Sequence, residues 1–246
     1  MNADFPELSV DSEPSGGLNC PVPDPHDSFE VVQASILGLW DVVNQLSSIP
    51  PPKRDRYSVT LFGSARLQKD SPIYAGVRQL AAELTQMGCD IITGGGPGLM
   101  EAANEGSVLA DPQNRTQSIG IRVALEFEQN VNPFVEQVYQ HRTFFSRLHH
   151  FALISDAFVV VPGGIGTTLE ALMIWQLLQV RNLQHPPLIM VGPMWAEFVT
   201  WAKTFMIDGD LSLASPADME IPICVEGFDA AIALLKTDHQ KWQNRC

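Results

Sequence analysis

The segment that most constrains the fold of this chain is an apolar run followed directly by a glycine turn. The run covers residues 157–161 (AFVVV), and the turn with its continuation covers residues 162–170 (PGGIGTTLE). A continuous β-branched run predicts a buried strand, and the residues after the glycines are compatible with a helix. The segment therefore predicts a strand, a tight loop and a helix start, which is where α/β proteins bind phosphorylated ligands.

We expect this loop to hold a phosphate group. Gly163, Gly164 and Gly166 let the backbone approach a ligand closely, and the first turn of the next helix presents unpaired N–H groups, with the Thr167 hydroxyl as a further donor. The loop lacks the lysine of GxxxxGK[ST] and does not match GxGxxG, so a monophosphate fits better than a triphosphate or a dinucleotide. The alternative is an ordinary turn whose glycines serve only packing.

Apolar strands alternate with amphipathic helices from residue 58 onward. Strands are predicted near 58–62, 89–93, 118–123, 157–161, 187–191 and 221–224. Helices are predicted near 73–87, 98–109, 141–154, 166–180, 194–206 and 227–237. This order predicts an α/β fold, namely a Rossmann-like doubly wound parallel sheet in three α/β/α layers.

The chain is predicted to have four parts. Residues 1–27 carry acidic side chains and prolines without Lys or Arg, which predicts a disordered extension. Residues 28–56 are predicted to form an amphipathic helix and a proline linker, residues 57–240 the α/β domain that carries the phosphate loop, and residues 241–246 a tail.

Two further glycine corners follow predicted strands. Gly63 and Ser64 follow the first strand, and Gly95 and Gly96 lie in the turn after the second. The carboxyl ends of parallel strands meet at one edge of an open α/β sheet, where ligands bind. Three glycine-rich corners on one edge therefore favour a binding crevice over packing alone.

Glu170 and Arg147 are the candidate catalytic side chains. Glu170 is expected in the first turn of its helix, where the dipole keeps a carboxylate ionised. Arg147 lies on the preceding helix, about 10 Å back from its end, so its side chain is expected to reach the loop after the strand. Both side chains are thus predicted to face one cavity, although a capping glutamate and a surface arginine are the simpler readings of each residue alone.

Composition excludes several classes of function. The chain has 15 basic and 28 acidic side chains and a net charge of −13, which disfavours nucleic acid and an anionic membrane as partners. Neither a signal peptide nor a membrane span is recognised, and the four cysteines lack disulfide or metal-site spacing, so a cytoplasmic protein is expected. The histidines also lack metal-ligand spacing, so we expect neither a metal nor another cofactor.

Several motifs together resemble the LOG (LONELY GUY) family of cytokinin riboside 5′-monophosphate phosphoribohydrolases, long misnamed lysine decarboxylases. The motifs are 62–66 (FGSAR), 94–102 (GGGPGLMEA), 128–129 (EQ), 144–147 (FFSR) and 162–170. The resemblance covers roughly residues 57–240.

The resemblance implies a homodimer, sometimes assembled further, that cleaves a nucleoside 5′-monophosphate into free base and ribose 5-phosphate. By motif position, Arg147 and Glu170 match the catalytic arginine and glutamate. The positions that match the phosphate loop and the corners bordering the nucleotide are Gly163, Gly164, Gly166, Thr167, Gly63, Ser64, Gly95 and Gly96.

This chain departs from the family pattern at three positions. Leu148 stands where the family usually has lysine, Glu126 where it often has proline, and Leu169 where it often has an acidic residue. These departures leave open which base is released, adenine, a cytokinin or another.

Two other functions remain open. The first is a carrier without catalysis, since some similar proteins carry the phosphorylated molybdenum cofactor, and the second is a nucleotide sensor with the extension as an interaction arm. An amine decarboxylase is the weakest alternative, because no separate feature indicates a pyridoxal phosphate lysine.

Overall fold

The computed structural model describes residues 29–36, 55–123, 131–181, 183, 186–209, 211 and 213–244. The extension 1–27, the greater part of segment 28–56, the Glu128-Gln129 pair and residues 245–246 lie outside these ranges. The chain divides into two units, Met1–Pro50 and Pro51–Cys246. In the first unit the structure describes a helix over residues 29–36, whose exposed apolar side chains are Phe29, Val31, Val32 and Ile36.

The second unit contains a parallel sheet. Its seven strands are β1 (Ser58–Phe62), β2 (Asp90–Thr93), β3 (Ser118–Val123), β4 (Gln137–His141), β5 (Ala157–Val160), β6 (Leu188–Val191) and β7 (Pro222–Val225). The strands are arranged in the order β4-β3-β2-β1-β5-β6-β7, and every neighbouring pair is parallel. The chain builds outward from β1 to β4 and then returns to the other side of β1, so the strand order reverses between β1 and β5.

Helices cover both faces of this sheet. They are α1 (Pro72–Gln86), α2 (Leu99–Ala110), α3 (Phe144–Ile154), α4 (Ile165–Gln179), α5 (Pro193–Met206) and α6 (Phe228–Gln243), with a short 3₁₀ helix at Pro216–Glu220. One core lies between the sheet and α1, α2 and α6, and the second lies between the sheet and α3, α4 and α5. The predicted Rossmann-like three-layer fold is confirmed, and burial on both faces explains why the central strands are nearly continuous apolar runs.

Two predicted boundaries were wrong. The helix predicted near 227–237 is α6, which continues to Gln243. The sequence pattern placed a helix over 141–154, whereas residues 137–141 form the edge strand β4 and α3 begins at Phe144. β4 is mostly exposed, so burial imposes no apolar pattern on it. The connection between β4 and α3 ends at Thr143. The Oγ1 of this residue accepts a hydrogen bond from the Ser146 N–H at 3.1 Å and so caps the N-terminus of α3.

Candidate functional site

The three glycine corners meet at the carboxyl edge of three adjacent strands, β2, β1 and β5. Ser64 N–H donates to the Pro162 carbonyl oxygen at 3.1 Å, and Leu99 N–H donates to the Ser64 carbonyl oxygen at 2.8 Å. Gly98 has φ +70°, and a Cβ there would overlap the Ser64 oxygen. Main-chain atoms thus join all three corners at the point where the strand order reverses, a position at which open α/β sheets bind ligands.

The corner after β5 is open to solvent. Gly164 and Gly166 are exposed, and a Cβ at either would meet no atom within 4 Å. Thr167 is buried beneath Gly163, where its Oγ1 occupies the space that a Cβ on Gly163 would need. Because α4 starts at Ile165, its first N–H groups lie at this open corner, an arrangement suited to an anion.

The corners after β1 and β2 are packed more closely. A Cβ on Gly63 would lie 2.6 Å from Val161 Cγ2, so this glycine is required by packing. Ser64 Oγ accepts a hydrogen bond from the Arg66 N–H at 3.1 Å. Gly95 is buried with φ +70°, and the partly exposed Gly96 lies against the Met100 side chain.

Arg147 is held from three sides. Its Nη1 lies 2.9 Å from Glu170 Oε1, its Nε donates to the Ile121 carbonyl oxygen at 2.8 Å, and its guanidinium lies 5.1 Å from the centre of the Phe151 ring. A Cβ on Gly94 would come within 2.5 Å of Arg147 Nη2, so glycine at this position makes room for the guanidinium. The structure therefore brings Arg147 and Glu170 together beside the second corner.

Glu170 differs from the sequence expectation in one respect. Since α4 begins at Ile165, Glu170 lies in the second turn, and the first turn has no acidic residue. Burial raises the pKa of Glu170, while the adjacent Arg147 charge and its hydrogen bond act in the opposite direction. The helix dipole therefore does not dominate this carboxyl, and a group whose pKa is raised is better able to accept a proton near neutral pH.

A histidine pair joins the end of β4 to the helix of Arg147, with His141 on the strand and His150 on α3. His141 Nε2 is 2.9 Å from His150 Nδ1, and His141 Nδ1 is 3.1 Å from Ser146 Oγ. Burial and the positive charge of Arg147 both lower the pKa of His141. Among the described residues, no group of three or more His, Cys, Asp or Glu side chains could hold a metal ion.

Sequence reasoning missed Asn132, which contacts the backbone of the second corner. Its backbone N–H donates to the Gly95 carbonyl oxygen at 3.0 Å, and its Nδ2 donates to the Gly96 carbonyl oxygen at 2.9 Å. The sequence around Asn132 resembles an ordinary turn before Pro133, so no local pattern marks it. Trp175 is buried and donates from Nε1 to the Asp218 carbonyl oxygen at 2.7 Å.

Exposed apolar side chains lie on α4 and at the start of α3. Ile165 is 88% exposed at the start of α4, and Leu169 and Leu172 follow on the same helix. Phe144 and Phe145 are exposed at the start of α3. No described helix has the length and apolar character needed to cross a membrane.

Part of this chain is similar in sequence to a curated nucleosidase. A region of 141 residues, 55% of this chain, is 29% identical to the pyrimidine/purine nucleotide 5′-monophosphate nucleosidase of Escherichia coli K12 and covers 31% of that protein. The chain thus spans about a third of the length of the curated relatives it matches.

Solved structures support the fold. The molybdenum cofactor carrier protein of Chlamydomonas reinhardtii matches with a TM-score of 0.55 at 18% identity, covering 74% of this chain and 98% of the other. The molybdenum cofactor binding protein of Rippkaea orientalis matches with a TM-score of 0.56 at 20% identity, covering 75% of this chain and 98% of the other. At these identities the likeness concerns the fold.

A family model described as "Possible lysine decarboxylase" matches residues 100–235, which is more than half of the chain and includes Arg147, Glu170 and the glycine-rich segment 162–170. The chain therefore belongs to the lysine-decarboxylase-like (LOG) family.

Proposed function

We propose that this chain is a cytoplasmic phosphoribohydrolase that cleaves the N-glycosidic bond of a nucleoside 5′-monophosphate. The products are the free base and ribose 5-phosphate. The observation that carries the proposal is the buried contact between Arg147 and Glu170, 2.9 Å long, beside glycine corners that are joined at one sheet edge. A purely structural ion pair does not need an open loop and a helix N-terminus on the same edge.

The corner after β5 supplies the phosphate site in this proposal. Gly164 and Gly166 leave space for close approach, and the α4 N-terminus supplies N–H donors and a favourable dipole. A phosphate fixed there prevents the sugar from drifting, which favours reaction at its C1′ carbon.

Glu170 is the group proposed to act at C1′. The bond from C1′ to the base nitrogen breaks with its electron pair leaving on the base, and positive charge develops on the sugar. The Glu170 carboxylate stabilises this charge and takes a proton from the water that attacks C1′, while the departing base takes a proton from solvent. Glu170 then returns its proton to solvent, so the water molecule supplies the hydroxyl on C1′ and, in net terms, the proton on the base. Its raised pKa supports the role of proton acceptor.

Arg147 is proposed to orient the nucleotide and to keep part of the Glu170 population ionised. Its positive charge opposes the effect of burial on that carboxyl. The contact with Ile121 fixes its position, so little reorganisation is needed when a ligand enters.

The similar proteins include both an enzyme and proteins that carry or bind a cofactor. The Escherichia coli relative is a nucleosidase of pyrimidine and purine nucleotides, whereas the Chlamydomonas and Rippkaea proteins carry or bind molybdenum cofactor. The ion pair favours turnover, because a carrier does not require a buried carboxylate with a raised pKa beside its cargo. The release of free base from a panel of nucleotides determines whether the base is adenine, a cytokinin or a pyrimidine.

The test is incubation with AMP, CMP, GMP, UMP and a cytokinin riboside 5′-monophosphate, followed by chromatography for free base. Glu170→Gln is expected to lower base release about a hundredfold or more. Glu197→Gln makes the same chemical change at an exposed position of α5 and should leave the rate unchanged. Binding of a nucleotide with no release of base from any of the five would refute hydrolysis and favour a carrier or sensor.

A further inference from the structure

The backbone of Gly95 and Gly96 is held by the protein on one side. Gly95 N–H donates to Thr93 Oγ1 at 2.9 Å, and the two carbonyl oxygens accept from Asn132, through its backbone N–H at 3.0 Å and its Nδ2 at 2.9 Å. Three of the four polar backbone groups of these glycines are therefore engaged. The fourth is the Gly96 N–H.

A buried side-chain network fixes Asn132. Its Nδ2 also donates to Asn104 Oδ1 at 3.0 Å, which accepts from Thr93 Oγ1 at 2.7 Å, while Asn104 Nδ2 donates to Ser118 Oγ at 2.8 Å. Asn132 Oδ1 accepts from the Phe134 N–H at 3.1 Å. Asn132 is 6% exposed and Asn104 is fully buried. Such a satisfied network allows one orientation of the Asn132 amide.

This arrangement sets the direction of the Gly96 N–H. No peptide bond among the described residues is cis, so the Gly96 N–H points opposite to the Gly95 carbonyl and away from Asn132. Asn132 is bonded to Asn104 on α2, and α2 packs on the face of the sheet opposite to α3, which carries Arg147. The Gly96 N–H is thus directed toward the side of the crevice on which Arg147 lies.

We infer that Asn132 is a positioning residue that holds the Gly96 N–H as a donor for a sugar oxygen of the bound nucleotide. The inference rests on the proposed function, because it assigns the phosphate to the open corner after β5. The second corner follows β2, two strand spacings or about 10 Å across the sheet edge. A sugar attached to a phosphate held at the first corner extends in that direction.

Glycine-selective ¹⁵N NMR of the full chain tests this without turnover. Ribose 5-phosphate is the probe, because it keeps the phosphate and the sugar but has no glycosidic bond to a base. We expect it to shift the amide resonances of Gly164, Gly166 and Gly96, whereas inorganic phosphate shifts only Gly164 and Gly166. Shifts at Gly164 and Gly166 without one at Gly96 would overturn this inference and leave the proposed phosphate site standing. Absence of any shift would overturn the site and the inference together.

Asn132 variants give a second measurement. Asn132→Ala and Asn132→Asp both lose the donor to the Gly96 oxygen and keep the backbone N–H that holds the Gly95 oxygen. Each is therefore expected to reduce the Gly96 shift and to weaken ribose 5-phosphate binding about tenfold. Gln113→Glu makes the same amide-to-acid change at an exposed position and should bind normally. Circular dichroism confirms that each variant is folded, and a folded Asn132→Ala that retains the full Gly96 shift would refute the positioning role.

Discussion

Replacing Arg147 by methionine tests whether the buried ion pair controls the protonation of Glu170. Methionine keeps an unbranched stem but removes the charge, the contact with Glu170 Oε1 at 2.9 Å and the hydrogen bond to the Ile121 oxygen at 2.8 Å. The Arg147 and Glu170 side chains are each only 12% exposed, so water is a poor substitute for either contact. The variant leaves a buried carboxyl and a buried carbonyl oxygen without their donor.

The cost of the substitution depends on pH, because Glu170 can take up a proton. The unpaired carbonyl oxygen costs about 1–3 kcal/mol at any pH. At an effective dielectric constant of about 20, the charge pair attracts by about 6 kcal/mol while both groups are ionised. Without this attraction the pKa of Glu170 rises further above its usual value of 4.5, so the folded variant keeps the proton to higher pH than the wild type.

The sign of the pH dependence follows from this raised pKa. The unfolded chain releases the Glu170 proton near pH 4.5, whereas the folded variant holds it to higher pH. The stability of the variant is therefore highest below pH 4.5 and falls as the pH rises toward the raised pKa, by up to about 1.4 kcal/mol for each pH unit. In the wild type Arg147 opposes the effect of burial, so the loss over the same range is smaller.

Urea unfolding of the two proteins at about pH 5 and about pH 8 measures the difference. We expect Arg147→Met to be destabilised more at the higher pH, and we expect this pH dependence to disappear in the Glu170→Gln background. Arg142→Met, at an exposed position in the bend between β4 and α3, is the control for loss of an arginine. An equal destabilisation at both pH values, or a pH dependence that survives Glu170→Gln, would refute the reasoning.

Two further predictions concern α4. Gly166→Ala is expected to raise the free energy of unfolding by up to about 1 kcal/mol, because a helical Cβ there meets no atom. The same methyl group narrows the open corner, so calorimetry should show about tenfold weaker ribose 5-phosphate binding, and unchanged binding would remove this loop as the phosphate site. We also propose that the exposed apolar face of α4 forms a homodimer contact. Light scattering should give twice the chain mass of 27.0 kDa for the wild type, and the mass of one chain for Leu172→Glu. A monomeric wild type would contradict this.

The fold was predictable because burial on both sheet faces leaves a strong apolar signal in β1, β2, β5 and β6. β4 was not predicted, since an exposed edge strand with Gln, Tyr and His side chains carries no such signal. The start of α3 is set instead by the Thr143 cap, a single hydrogen bond that is difficult to place from the sequence.

The part of the candidate site that depends on lengths of helices and strands was predictable from the sequence. The length of α3 between Arg147 and the helix end, compared with the length of β5, indicated that Arg147 reaches the loop region near Glu170. The two side chains lie in contact. Asn132 could not be found in this way, because its partners Gly95, Gly96 and Asn104 come from distant segments. The pKa of Glu170 also depends on burial that only the packed fold creates.

The joined corners have a consequence for how such a crevice can change over evolutionary time. Ser64, Pro162 and Leu99 are linked through main-chain atoms, so the base of the crevice does not depend on the identity of these side chains. Residues along the walls can be exchanged while this base stays in position. New selectivity can therefore arise on an inherited scaffold that never has to be rebuilt.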